Sequence, residues 1–309
     1  MKKAGKFIII IICLIAIVGI YNNLDLIMPT EKTELESQDN ENKKEIKDND
    51  IINVLLIGQD SRSEDSKERS DSMILVSFDT KNNDVKLISF MRDMYLKIPG
   101  HDSNRINASY KFGGKELLVE TIESNFNIKI DNTVEIDFYG FKDAIDCIGG
   151  VEVDVKESEI ELLNGYIADI NVMSGEDMSL YHLTGPGLQT LNGTQALAYA
   201  RIRYVGNGDF ERTQRQRTIL IAAAKKAKES GIMELVKLYD KVMPMIETDL
   251  EFVDILKLAK TGLSMNLDNL NTYNIPADAE YSSKRIDGMA VLVPDLEKCK
   301  TLLFDLNVR

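Results

Sequence analysis

The chain has 309 residues, is 44% hydrophobic, and carries 37 Lys and Arg against 50 Asp and Glu, a formal net charge of −13. A balance this acidic argues against nucleic acid as a partner, because that partner selects a broad basic footprint. With 3 Cys in no CxxC spacing and 2 His, the sequence offers no redox pair, no zinc motif and no histidine triad.

Lys2, Lys3 and Lys6 precede an apolar run over residues 7–20, which Tyr21, Leu24, Leu26, Ile27 and Met28 can extend. A cleaved signal peptide has an apolar stretch of this length. No small-x-small cleavage site follows it, however, and no lipobox precedes Cys13. The reading is therefore a cytoplasmic tail at 1–6 and an uncleaved transmembrane signal-anchor at 7–28. The lysines stay inside and the body lies outside the cytoplasmic membrane, a single-pass topology. Residues 29–50 are polar, with scarcely an apolar side chain besides Leu35 and Ile46, and read as a linker.

From residue 51 a single domain is predicted to run to 309. Residues 51–58 end in Gly58 and read as a buried strand. Residues 73–78 and 84–90 read as a hairpin around Lys81-Asn82-Asn83. Residues 115–126 have helical periodicity, entered through Gly113-Gly114; 133–138 is strand-like, 139–148 helical and 151–155 a strand after Gly149-Gly150. The chain is mainly helical from Thr194, through 210–228, 233–245 and 250–263. A late strand at 271–275 and a closing helix at 295–306 complete the order. Interleaved strands and helices without strict βαβ alternation predict an α/β fold, a single α/β/α sandwich with a mixed central sheet.

Against the acidic background, Arg201, Arg203, Arg212, Arg215 and Arg217 crowd into one segment. Guanidinium is a planar, permanently charged fork that matches phosphate oxygens, so the cluster predicts a phosphate or pyrophosphate site. Arg201 and Arg203 are two apart and in extended chain share a side. Arg212 and Gln216 share a helix face, and Arg212 falls in the first turn after Asp209, where the helix end also favours anions. Arg217, Lys225, Lys226 and Lys228 read as a solvated face. Asp60 follows the first strand and Asp71 precedes the second; if the two strands are adjacent and antiparallel, both carboxylates meet at one rim. Two such hard oxygen ligands suit Mg²⁺, although both tripeptides also suit polar turns. Arg92 ends the third strand and is expected at the same rim.

Seven ordered segments resemble the LytR-CpsA-Psr family of cell-wall glycopolymer ligases. They are Leu55-Leu56-Ile57-Gly58-Gln59-Asp60-Ser61-Arg62, Arg69-Ser70-Asp71-Ser72-Met73, Ser89-Phe90-Met91-Arg92-Asp93, the stretch 105–114, Ile148-Gly149-Gly150-Val151, the stretch 191–203, and Gly208-Asp209-Phe210-Glu211-Arg212-Thr213-Gln214-Arg215-Gln216. Gln59, Met91 and Glu211 depart from the family pattern. The resemblance implies a phosphotransferase at the outer membrane face. It would move a glycopolymer (teichoic acid, capsule or a related polymer) from undecaprenyl pyrophosphate to a peptidoglycan sugar hydroxyl. It implies a pyrophosphate site of Arg92, Arg201, Arg203, Arg212 and Gln216. Asp60 and Asp71 would hold Mg²⁺ (or Mn²⁺), and Asp71, Arg92 and Arg203 would serve catalysis. The residue that takes the acceptor proton stays open. A lipid-pyrophosphate phosphatase and a non-catalytic membrane-bound regulator or scaffold are the alternatives. An apolar groove for the polyprenyl chain is expected between the sheet and helices such as 115–126 and 139–148.

Overall fold

β1 (Ile51–Gln59) has apolar side chains on both faces because both faces are covered. Val54 and Leu56 enter one core, while Leu55 and Ile57 enter another. The structure is a computed structural model that describes residues 51–59, 70–203, 208–229, 247–250 and 270–309, with isolated positions between 254 and 267. The predicted tail, anchor and linker at 1–50, the helix at 233–245, Asp60 and Arg69 lie outside the described residues. Among the described residues no helix is long and apolar enough to cross a membrane.

β1 pairs antiparallel with β2 (Ser70–Asp79), which turns through Asn83 in a left-handed conformation into β3 (Asp84–Phe90), the predicted hairpin. The short pair β4 (Tyr95–Leu96) and β5 (Asn104–Arg105) leads into α1 (Ile106–Phe126). Gly113 and Gly114 break α1 at the predicted point of entry, but the helix begins earlier, at Ile106. β6 (Asn132–Asp137) then runs parallel to β1 and is followed by α2 (Phe138–Cys147). β7 (Val151–Val155), α3 (Glu157–Ser174) and β8 (Gly187–Leu191) form a flap in which β7 and β8 pair with each other. α4 (Gly193–Arg201) starts at a close approach, since a Cβ on Gly193 would lie 2.0 Å from the Lys142 carbonyl oxygen. The long α5 (Asp209–Glu229) and β9 (Glu247–Thr248) follow. β10 (Asn271–Ile275) lies parallel to β3. The hairpin of β11 (Tyr281–Ile286) and β12 (Met289–Pro294) precedes the closing α6 (Leu296–Asp305).

The central sheet has the order β10-β3-β2-β1-β6-β9 and mixes parallel and antiparallel pairs, the predicted mixed α/β architecture. On one face Leu56 and Ile74 pack with Ile145 of α2, Leu163 of α3, Leu197 of α4 and Ile219 of α5. On the other, Ile57 and Met73 pack with Leu118 and Ile122 of α1 and Leu303 of α6. The helices expected to wall one lipid groove therefore lie on opposite faces of the sheet and cannot build it together. Cys147 and Cys299 are unpaired thiols and belong to opposite cores, so the sheet separates them.

α3 and the β11–β12 hairpin go beyond the sequence reading. Ile160, Leu163, Ile167 and Ile170 carry the helical period of α3, but Lys156 at its cap has no short polar side chain to announce it. The hairpin turns on Asp287-Gly288, both left-handed, as a two-residue turn of this composition requires.

Candidate active site

The rim where β1 ends, β2 begins and β3 runs out carries the site. The β2–β3 register pairs Ile74 with Ser89. Carried three residues on, it faces Asp71 with Arg92, and the two side chains form an ion pair. Backbone bonds hold Arg92 from both sides: Met91 N–H donates to Ile275 O at 2.9 Å, and Asn107 N–H to Arg92 O at 3.4 Å. Arg105 anchors Asp93 at 3.0 Å, so the acidic neighbour of Arg92 has its own cation.

α5 supplies the opposite wall. Asp209 opens the helix, where a carboxylate suits the positive end of the dipole. Its Oδ1 lies 3.1 Å from Arg212 Nη2, 3.5 Å from Arg203 Nε and 3.6 Å from Arg92 Nε. Arg212 also donates to the Asp71 carbonyl at 2.9 Å, stitching α5 to β2. One turn on, Gln216 accepts a hydrogen bond from Ser72 Oγ at 3.0 Å. Three guanidinium groups and two carboxylates thus meet at one rim, and Gln216 stands beside them.

The charges within this cluster are strongly coupled. Burial pulls Arg92 toward its neutral form, but the negative charges of Asp71, Asp209 and Asp93 outweigh it and its pKa is raised. Arg212 goes the other way: its burial, with Arg92 and Arg203 adding repulsion, outweighs the attraction of Asp209 and lowers its pKa. The Nε atoms of Arg92 and Arg212 are buried and make no hydrogen bond. Buried guanidinium donors without acceptors are costly. Arg203, with its side chain 38% exposed, is the guanidinium of the cluster that an incoming anion can reach.

The structure assembles Asp71, Arg92, Arg203, Arg212 and Gln216 as the sequence spacing predicts. Arg201 differs. It ends α4, so it and Arg203 do not share an extended segment, and its guanidinium lies over the Tyr166 ring, 5.4 Å from the centroid. Arg215 is a buried structural cation, bonded to Glu159 at 2.8 Å and to Ile202 O at 3.2 Å. Glu211 takes its third contact, at 3.3 Å. The expectation that Arg217 lies on a solvated face is overturned: it is 1% exposed. Asp209, expected only as a helix cap, is the hub of the cluster. The sign of this role lay in the sequence as charge balance, since several arginines sharing one rim need an anion among them.

Asp71 fits a divalent cation. Arg92 pairs with one of its oxygens, and its side chain is 27% exposed. Among the described residues no group of three or more His, Cys, Asp and Glu is placed to hold a metal. A cation here would rest on Asp71, on Asp60 outside the described residues, and on phosphate and water oxygens, the sparse protein ligation that Mg²⁺ accepts.

The description of the matching family model reads LytR_cpsA_psr family, and it spans residues 20–305. The chain is 34% identical over 254 residues to the polyisoprenyl-teichoic acid–peptidoglycan teichoic acid transferase TagV of Bacillus subtilis (strain 168), covering 75% of this chain and 62% of that protein. It is 32% identical over 303 residues to the transferase TagU of Bacillus cereus (strain ATCC 14579), covering 94% and 92%. Among solved structures, the LytR-CPS2A-psr family protein YwtF (TagT) with bound octaprenyl pyrophosphate lipid superposes with a TM-score of 0.63. That protein is 27% identical, with 84% of this chain and 91% of that one covered.

Proposed function

We propose, since this chain belongs to the LytR-CpsA-Psr family, that it is a transferase moving a glycopolymer from a polyprenyl-pyrophosphate carrier to peptidoglycan. Teichoic acid is the polymer named for its relatives TagV and TagU, and undecaprenyl pyrophosphate is the carrier we assign. The reading rests on one observation: Arg92, Arg203 and Arg212 converge on Asp209 at the rim held by Asp71.

In the proposed reaction the acceptor hydroxyl oxygen bonds to the phosphorus that carries the polymer. The bond from that phosphorus to the bridging oxygen breaks, the carrier leaves as polyprenyl phosphate, and the hydroxyl proton passes to solvent or a nearby base. Transfer of this kind depends chiefly on positioning and on balancing the charge of the leaving phosphate. Arg92 and Arg212 are fixed by Asp71, and so stand preorganised. Arg203, whose side chain is 38% exposed, is placed to meet phosphate from the open side. Gln216, bonded to Ser72, can orient a non-bridging oxygen. Asp71, with Asp60, would hold Mg²⁺, which would neutralise phosphate charge. We further assign the chain to the outer face of the cytoplasmic membrane, because three lysines precede the apolar run over 7–20.

The test uses the full-length chain with a labelled polyprenyl-pyrophosphate-linked glycopolymer and peptidoglycan. Label on peptidoglycan matched by released polyprenyl phosphate supports transfer. Polymer phosphate released to water without attachment favours the phosphatase, and neither product favours a non-catalytic scaffold.

A further inference from the structure

Arg217 is a buried cation whose described partners are all neutral. It is 1% exposed. It donates to Ser89 Oγ at 2.6 Å, Asn274 Oδ1 at 2.6 Å, Tyr273 O at 3.3 Å and Gln214 Oε1 at 2.8 Å. Its Nε makes no hydrogen bond. The contrast with Arg215 two residues earlier is sharp, because Arg215 is paired with the buried carboxylate of Glu159. A buried charge without a counter-ion is among the costlier arrangements in a protein interior. An apolar side chain of similar volume would remove the uncompensated charge but leave the oxygens of Ser89, Asn274, Tyr273 and Gln214 without this donor; those bonds call for a donor, not for a permanent cation.

Its position suggests what the charge serves. Arg217 follows Arg212 by five residues of α5, a rise of ~7.5 Å along the axis. Ser89 lies three residues before Arg92 on the strand whose end carries the rim. Asn274, which takes the short bond from Arg217, also accepts from Thr213 Oγ1 at 3.2 Å, and that oxygen lies 3.9 Å from the Met91 sulfur. The cation therefore stands one layer behind the rim, on the elements that hold Arg92 and Arg212. Burial alone lowers its pKa, to about 10, so at neutral pH it remains charged.

We infer that Arg217 is a positioning residue for the proposed phosphate site, whose unpaired charge adds to the positive potential felt by an anion at the rim. The inference rests on the assignment of that site to pyrophosphate. A unit charge ~10 Å from a phosphate, at an effective dielectric constant of ~20, changes anion affinity on the order of tenfold. Because the carboxylates beside the arginines offset part of their charge, a cation behind them supplies attraction that they do not cancel.

The experiment titrates the full-length chain with inorganic pyrophosphate by calorimetry. Arg217→Met removes the charge and keeps much of the volume, Arg217→Lys keeps the charge and loses the fork, and Arg203→Ala serves as reference. The expected result is an Arg217→Met protein that stays folded yet binds pyrophosphate about tenfold more weakly. Arg217→Lys should keep most of the affinity. Wild-type binding by Arg217→Met, or an equal loss in Met and Lys variants, overturns the inference while Arg203→Ala still reports the rim site. If Arg203→Ala binds normally, the rim reading fails and the inference with it. Should Arg217→Met not fold, Arg217→Gln replaces it; if that also fails to fold, Arg217 is a structural residue and the inference is wrong.

Discussion

The Asp209 carboxylate lies 3.5 Å from Nε of Arg203, the most exposed of the three arginines it gathers. This contact holds Arg203 at the rim with its side chain 38% exposed. Arg203→Ala is expected to lower kcat/KM for polymer transfer by about 2–4 kcal/mol of transition-state stabilisation, as for loss of one oxyanion donor. Arg203→Lys should also be impaired, since an ammonium cannot reproduce the fork. Lys228→Ala, on an exposed stretch of α5, is the control. Transfer by Arg203→Ala at the control's rate would remove this residue from the site.

Asp71 has two tasks, and they can be separated. Asp71→Asn keeps the shape but withdraws the charge facing Arg92 and weakens the proposed cation site. Transfer should fall, and raising Mg²⁺ should restore only part of it, because added metal cannot rebuild the pair with Arg92. Full recovery at high Mg²⁺ would mean that the ion pair contributes nothing to the reaction.

Not every arginine of the cluster belongs to the proposed anion site. Arg215 and Glu159 form a pair whose side chains are 3% and 1% exposed. Arg215→Ala leaves Glu159 buried and uncompensated, which costs on the order of 3–5 kcal/mol of folding stability. Urea unfolding should show this loss, and Arg203→Ala should show little by the same measurement. Similar midpoints for the two variants would contradict the division into structural and site arginines.

Asp79 gives a pH signature at the far end of the β2–β3 hairpin. Burial works against its charged form, but hydrogen bonds from the Asn82 side chain and backbone outweigh it and lower the pKa. With the folded pKa below the unfolded one, the stabilisation is present above the unfolded pKa, near 3.8, and lost as pH falls through the folded value. Asp79→Asn should therefore cost roughly 1.5–3 kcal/mol at neutral pH, the scale of a hydrogen bond to a charged group. The difference in urea midpoint from wild type should narrow as pH falls below the unfolded value of 3.8. A difference constant with pH would show that the carboxylate charge is not involved.

Much of the sheet was legible locally. β3 and β10 begin and end where apolar alternation and turn residues predict, because a buried strand leaves a two-residue period and its turn needs Asn or Gly. α3 was less legible because Lys156 at its cap is not a short polar residue, although Glu157 and Glu159 mark its first turn and its inner face repeats at helical spacing. Arg217 was misread because it was grouped with Lys225, Lys226 and Lys228 of the same helix, although the apolar stretch 219–224 separates it from them. The burial of Arg217 comes from Ser89 and Asn274, 128 and 57 residues away in the chain.

By itself the sequence determined the composition of the site: an excess of arginine in one segment of an acidic chain, and carboxylates at two strand ends. Those are properties of residue type and spacing, and they are the basis for proposing an anion of high charge density as the ligand. Only the tertiary structure decided how the arginines divide their work. Arg92, Arg203 and Arg212 share Asp209, Arg215 is neutralised by Glu159, Arg201 lies over Tyr166, and Arg217 keeps an unpaired charge behind the rim. The physical reason is that a guanidinium's role is set by its counter-charge and its distance from water. Both are supplied by β2, β3, α3 and β10, elements far from α5 in the chain that become its neighbours once the sheet is folded.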